Sequence, residues 1–195
     1  MKTGEIPIRD PFVLPLTQSG FYYLFGTTDK NPWSGKGDGF DCSRSRNLSD
    51  WERPVTPKDW QCLDGTLHLD EECNPWIVFC HEWLQVHNGA MYAMRLSGDL
   101  KHAIGRPVFL FNASEAPWVH PHSAWAEVKG SERFPTYVTD GPFLYRTNER
   151  ALLMLWSSMG QKVMRWGLRV PPRAMWKALG CRNPNRYGQR MGGTA

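Results

Sequence analysis

Three times along the chain the same order of residues recurs: an aspartate, a small or imino residue, an apolar run, a turn, and a second aromatic-rich run. The first copy is Asp10-Pro-Phe-Val-Leu-Pro15, a turn at Gly20, then Phe21-Tyr-Tyr-Leu-Phe-Gly26. The second is Asp64-Gly-Thr-Leu-His-Leu69, a turn through Glu71 to Pro75, then Trp76-Ile-Val-Phe-Cys80. The third is Asp140-Gly-Pro-Phe-Leu-Tyr-Arg146, a turn from Thr147 to Arg150, then Leu152-Leu-Met-Leu-Trp156. Each copy predicts a β-hairpin whose first strand begins at the aspartate. No such hairpin can cover its own apolar faces. Radial repetition solves that problem, because blades of antiparallel sheet set round an axis bury one another and leave only short edges. The innermost strand of each blade then lines a central channel, and Asp10, Asp64 and Asp140 converge at one end of it.

Composition agrees with an all-β fold. Apolar residues make up 41% of the 195 and aromatic residues 13%, beside 18 Gly and 15 Pro, a mixture suited to short strands and tight turns. No stretch approaches the roughly 20 apolar residues of a membrane span, and the start lacks the apolar run of a secretory leader, so a soluble cytoplasmic protein with no membrane partner is expected. Cys42, Cys62, Cys73, Cys80 and Cys181 are odd in number and form no Cys-x-x-Cys pair, which points to reduced, mostly buried thiols. His81, His87, His120 and His122 have no metal-ligand spacing.

Charge divides the chain. Residues 161–195 hold eight basic residues and no acidic one, leaving 15 basic against 19 acidic in residues 1–160. A basic end on an acidic body is one form of nucleic-acid arm, testable by salt-sensitive binding lost on cutting at Gly160.

Taken singly, an aspartate before Gly or Pro is a turn residue. Three at the same place in a repeated hairpin suggest a shared site. Converging carboxylates provide a base that activates water, an acid that protonates a leaving oxygen, and a third group that tunes the other two, which is the equipment of glycoside hydrolysis by inversion.

Arg9-Asp10-Pro11-Phe12, Leu63-Asp64-Gly65-Thr66-Leu67 and Thr139-Asp140-Gly141-Pro142-Phe143-Leu144-Tyr145 resemble glycoside hydrolase family 43. The resemblance runs from about Ile8 to Gly160; Gly39 to Trp51, ending Ser-x-x-Leu-x-x-Trp, and Phe79-Cys-His-Glu-Trp83 resemble further segments of that family. It implies a β-propeller of the five-bladed type and inverting cleavage of α-L-arabinofuranosyl or β-D-xylosyl linkages in plant-glycan oligosaccharides. It also implies Asp10 as general base, Asp64 as the group that tunes the acid's pKa, and Asp140 in the place of the acid, where the family has Glu. Glu82 is a second candidate for the acid. With Trp83, Trp118 and Trp125 it also belongs to the candidate substrate-binding residues, indole being a good platform for a sugar ring. No cofactor is implied, although calcium occupies the channel of some family members.

The chain departs from that family twice. A whole blade, with a Trp-Ala-Pro-Glu-Val type of segment, is absent near Glu52-Arg53. After Gly160 the repeat stops and the acid-free stretch begins. With suitable codons, a constant two-base shift converts Asn183 to Ala195 into a string ending Asp-Gly-Gly-His-Gly, which resembles the next family segment. The expectation is therefore an incomplete propeller of about three blades over residues 1–160, and a basic, disordered or frameshift-derived tail over 161–195 without a nucleic-acid partner. Exposed blade edges make self-association an expectation too. A catalytically inactive carbohydrate-binding remnant is the alternative.

Overall fold

The computed structural model describes residues 2–16, 20–28, 39–51, 57, 59–100, 102–122, 135–148 and 151–169. Within them the three hairpins are present, each in its own antiparallel sheet. The first sheet holds β1 (Ile8–Leu16), β2 (Phe21–Thr28) and β3 (Gly39–Ser45) in that order. The second is a full four-stranded blade of β4 (Cys62–Leu69), β5 (Pro75–His81), β6 (Ala90–Leu96) and β7 (Ala103–Asn112), with one helical turn, α1 (Trp83–Val86), between β5 and β6. The third holds β8 (Asp140–Arg146), β9 (Leu152–Met159) and β10 (Met164–Arg169), with β9 central. The fold is all-β, an incomplete β-propeller with three blades among the described residues.

The second blade sits between the other two, and the period of β5 shows how. Trp76, Val78 and Cys80 point one way, into a cluster with Met91, Ala93, Phe111 and, from the third sheet, Leu152, Met154 and Trp156. Ile77 and Phe79 point the other way, into a cluster with Met94, Leu96 and, from the first sheet, Tyr23 and Phe25. Every residue of β5 is buried, which is why its sequence is almost continuously apolar, as in any strand covered on both faces. Trp156 anchors the boundary between second and third blades, its ring 5.0 Å from Phe111 and 4.9 Å from Trp118. The far side of the first sheet is closed by Ile6, Leu24 and Trp51. Trp51 ends the Ser-x-x-Leu-x-x-Trp segment, and its indole N–H donates to Thr3 Oγ1 at 3.0 Å, tying the N-terminal stretch down.

Residues 52–56, where a blade is absent by sequence, lie outside the described residues, and the first sheet packs directly on the second. The third sheet continues past Gly160, the end of the sequence repeats, through β10 to Arg169. Its strand fits closely because a Cβ at Gly167 would overlap the Trp118 ring. The rest of the basic tail, 170–195, lies outside the described residues. The outer face of this sheet leaves Phe143, Tyr145, Met164, Trp166 and Leu168 exposed, Trp166 at 74%.

The β4–β5 turn is held by a single carboxylate. Asp70, only 7% exposed, accepts the backbone N–H groups of Glu72 at 2.9 Å and Asn74 at 2.8 Å on Oδ1. Its Oδ2 accepts Trp76 Nε1 at 3.1 Å and Asn74 Nδ2 at 3.0 Å. Burial alone would raise the Asp70 pKa, but these donors together outweigh it and hold it below the ordinary value. A depressed folded-state pKa contributes stability that is present above the ordinary aspartate value and lost as pH falls through the lowered one. Asp70→Ala is expected to destabilise the protein by about 3 kcal/mol at pH 7, since several buried donors lose a charged acceptor. The deficit should shrink as pH drops below about 4, and urea unfolding of both proteins across pH 2–7 measures it.

Candidate active site

Each of the three aspartate segments breaks its strand ladder at the same place. Pairing shifts between Arg9 and Phe12, between Leu63 and Thr66, and between Asp140 and Phe143. A bulge of this kind needs one residue in the left-handed region, and φ is 50° at Asp10, 50° at Asp64 and 52° at Gly141. Aspartate tolerates that region better than most side-chain-bearing residues. The bulge bends each strand and re-aims its side chains at the channel end.

The third copy is offset by one residue. Arg9, Leu63 and Asp140 hold the last paired position before the bulge, opposite Thr27, Cys80 and Ser157. Asp10 and Asp64 are the left-handed residues themselves, whereas in the third blade glycine takes that role. Asp140 is therefore not the structural equivalent of Asp10 and Asp64, as the sequence pattern has it. It stands where the first blade has Arg9.

That offset brings two carboxyls together across a blade boundary. Asp140 on β8 hydrogen-bonds Asp64 on β4, and the Gly141 N–H donates to Asp64 Oδ2 at 3.3 Å. Burial, the hydrogen bond that the protonated Asp140 carboxyl donates to Asp64, and the Asp64 charge hold the Asp140 carboxyl well above the usual carboxylate range. Each of these causes favours the protonated form of the Asp140 carboxyl. Beneath it lies Cys80, fully buried, its thiol pushed up by burial and by the charges of Asp64 and Asp140, with Met91 Sδ at 3.6 Å.

Asp10 does not join this pair. Its side chain is 73% exposed, and its charged neighbour is Arg9, whose Nε lies 3.5 Å from Asp10 Oδ2. Glu82 follows the end of β5 and is 4% exposed. It caps α1, accepting the Leu84 N–H on Oε1 at 3.3 Å. Burial raises the Glu82 pKa to about 7, against the Leu84 N–H and the Arg9 charge, with Asp64 adding to the rise. Trp83 is half-buried on α1. Trp118 is packed against Trp156 and Gly167, within the blade boundary. Trp125 lies outside the described residues. Among the described residues no group of three or more His, Cys, Asp or Glu side chains is arranged to hold a metal ion, and no helix is long and apolar enough to cross a membrane.

Arg9 is the charged group that the sequence pattern passes over. Only its place immediately before an aspartate marks it, and the structural register is needed to show that it shares a position with Asp140. A raised carboxyl pKa costs stability as pH rises from the ordinary aspartate value, because the unfolded chain releases its proton before the folded one does. Asp140→Asn removes that cost. The variant should be more stable than the wild type above about pH 4, with a gap that widens towards alkaline pH. Thermal unfolding of the two proteins between pH 4 and 9 shows it, and a constant gap would contradict the paired-carboxyl geometry.

The chain matches the family model of glycosyl hydrolases family 43 over residues 17–164. Among solved structures, an endo-arabinase from Bacteroides thetaiotaomicron is 28% identical with a TM-score of 0.52, the match covering 86% of this chain and 76% of that one. A family 43 β-1,3-galactosidase matches with a TM-score of 0.53 at 9% identity, over 84% of this chain and 32% of that one. A xylan β-1,4-xylosidase from Bacillus halodurans matches with a TM-score of 0.50 at 16% identity, over 86% and 28%. The last two likenesses show the fold alone. A search of curated proteins finds no match. Since the family match spans most of the chain, including the aspartate-headed second and third blades, the chain belongs to glycoside hydrolase family 43.

Proposed function

We propose that this chain is an inverting glycosidase acting on α-L-arabinofuranosyl or β-D-xylosyl linkages of plant-glycan oligosaccharides. Family membership makes it a glycosidase by class. In the proposed mechanism Asp10 takes a proton from water as it attacks the anomeric carbon, Asp140 delivers its proton to the departing glycosidic oxygen, and Asp64 tunes Asp140. The observation that carries the assignment is the Asp64–Asp140 hydrogen bond. Two carboxyls in hydrogen-bond contact are far closer than the roughly 6.5–9.5 Å needed to place both a glycosidic bond and a water between them. They therefore serve as acid and tuner, and the base must be a third carboxylate. Asp10 is open to solvent, where its water is available. The pentose preference rests on the endo-arabinase likeness at 28% identity.

A second reading, an oligosaccharide-binding protein without turnover, is favoured by one observation. Phe143, Tyr145, Met164, Trp166 and Leu168 on the outer face of the third sheet are exposed, as at the open edge of a propeller short of its full set of blades. Self-association belongs to the same picture, with Phe143, Tyr145, Trp166 and Leu168 as the surface a second copy would cover.

Release of nitrophenol from 4-nitrophenyl α-L-arabinofuranoside and β-D-xylopyranoside decides between the two. Hydrolysis by the wild type should fall by about 10³-fold in Asp10→Asn. An equal rate in the variant would remove Asp10 from the mechanism. Calorimetric binding of an arabino- or xylo-oligosaccharide with no release of nitrophenol would establish the second reading.

A further inference from the structure

We infer that the turn from Glu82 to Gly89, which includes α1, is a brace that aligns Asp140 with Asp64 at the channel end of the blade boundary, with Gln85 and Gly89 as positioning residues. The inference rests on the proposed roles of the two aspartates. One end of the brace grips the lead-in to β4, the strand of Asp64. The Glu82 N–H donates to the Gln61 carbonyl at 2.8 Å, and the Gln61 N–H donates to Gln85 Oε1 at 2.8 Å. Gln85 Nε2 donates to the Asp59 carbonyl at 2.9 Å, and His81 Nε2 lies 2.8 Å from Gln85 Oε1. A single amide side chain thus holds the residues leading to Asp64 against the end of β5.

The other end grips the lead-in to β8, the strand of Asp140, across the boundary to the third blade. His87, left-handed at φ 62°, turns the chain out of α1. Its carbonyl accepts the Tyr137 N–H at 2.8 Å, and the Gly89 N–H donates to the Tyr137 carbonyl at 2.8 Å. Gly89 does not have a left-handed φ, so what requires glycine there is space. A Cβ at Gly89 would stand 2.6 Å from Thr139 Oγ1, 2.9 Å from Thr139 N and 2.9 Å from the Tyr137 carbonyl oxygen. The last two atoms are backbone and cannot rotate away. Behind them the segment is tied to its own sheet by the buried Ser158 hydroxyl, which donates to the Val138 carbonyl at 2.5 Å. A displacement at Thr139 therefore passes along the chain to Asp140 and to Gly141, whose N–H donates to Asp64 Oδ2 at 3.3 Å.

Carboxyl ¹³C NMR of the full chain, with the Asp140 signal assigned by its loss in Asp140→Asn, tests the brace without any activity. Gly89→Ala should lower the proton affinity of Asp140 about tenfold, because misaligning the carboxyls weakens the hydrogen bond and the charge that favour its protonated form. Gln85→Met, which removes the grip at the other end without adding bulk, should lower it too, and decides alone should Gly89→Ala not fold. Asn88→Ala is the control for general loosening. It deletes the bonds of Asn88 to Ser114, at 2.8 and 3.2 Å, which tie the same turn to the end of β7 within the second blade. It should lower the urea midpoint of unfolding and leave the Asp140 titration where it is. In hydrolysis of the nitrophenyl substrate that the wild type turns over best, Gly89→Ala should lose about 10- to 100-fold in kcat, with KM changed less than about threefold. The alkaline limb of its kcat profile should move to lower pH by the same step as the titration. An Asp140 midpoint unmoved in folded Gly89→Ala or Gln85→Met, or moved as far by Asn88→Ala, overturns the brace. Should the wild type hydrolyse nothing, the functional reading fails while the titration still decides whether the turn aligns the pair.

Discussion

The pairing of the Asp64 and Asp140 carboxyls is the interaction on which the rest of the site depends, and it exists only because two blades are held face to face. Asp64 belongs to the second blade and Asp140 to the third. What fixes their separation is the packing of Trp76, Val78 and Cys80 against Leu152, Met154 and Trp156. A close-packed interior transmits small displacements instead of absorbing them. The apolar boundary is therefore part of the acid's chemistry: widening it would separate the carboxyls, let water between them and return Asp140 towards an ordinary aspartate.

Three bulges deliver the side chains to that boundary. One backbone device is repeated in three blades, and its left-handed residue is aspartate twice and glycine once. Using Gly141 there frees the preceding position for the proton-bearing residue, so the third blade aims its carboxyl differently from the first two. The same position in the first blade carries a cation, Arg9, beside Asp10. Equivalent places in a repeated frame thus supply a cation and a proton-bearing carboxyl, and the site draws its asymmetry from a symmetric scaffold. The cost is visible in the carboxyl groups themselves, since Glu82 and Asp140 are both held away from their ordinary values by burial.

The hairpins were legible in the chain because alternating apolar runs, turn residues and an aspartate head recur at the same spacing. The sandwiching of β5 was legible too, in the continuous apolar stretch Trp76-Ile-Val-Phe-Cys80. The offset of Asp140 was not, since Asp-Gly-Pro reads like Asp-Gly-Thr until the register opposite Ser157 shows which residue is left-handed. The strand β10 was hidden because it carries no aspartate and lies in a stretch whose basic composition suggests a tail. The burial of Glu82 was hidden as well, because Cys-His-Glu-Trp gives no sign that the chain turns into a helical cap there. Trp118 illustrates the general difficulty with aromatic residues, for a platform for sugar and a wedge between strands have the same side chain, and only Gly167 beneath it shows which surface it covers.

The most direct measurement of the central claim is the infrared difference spectrum of wild type against Asp140→Asn at pH 7. A carbonyl stretch of a protonated carboxylic acid, present in the wild type and missing from the variant, is the predicted result. A wild-type spectrum in which Asp140 contributes only carboxylate bands at that pH would contradict the account, since the pair would then hold no proton to give.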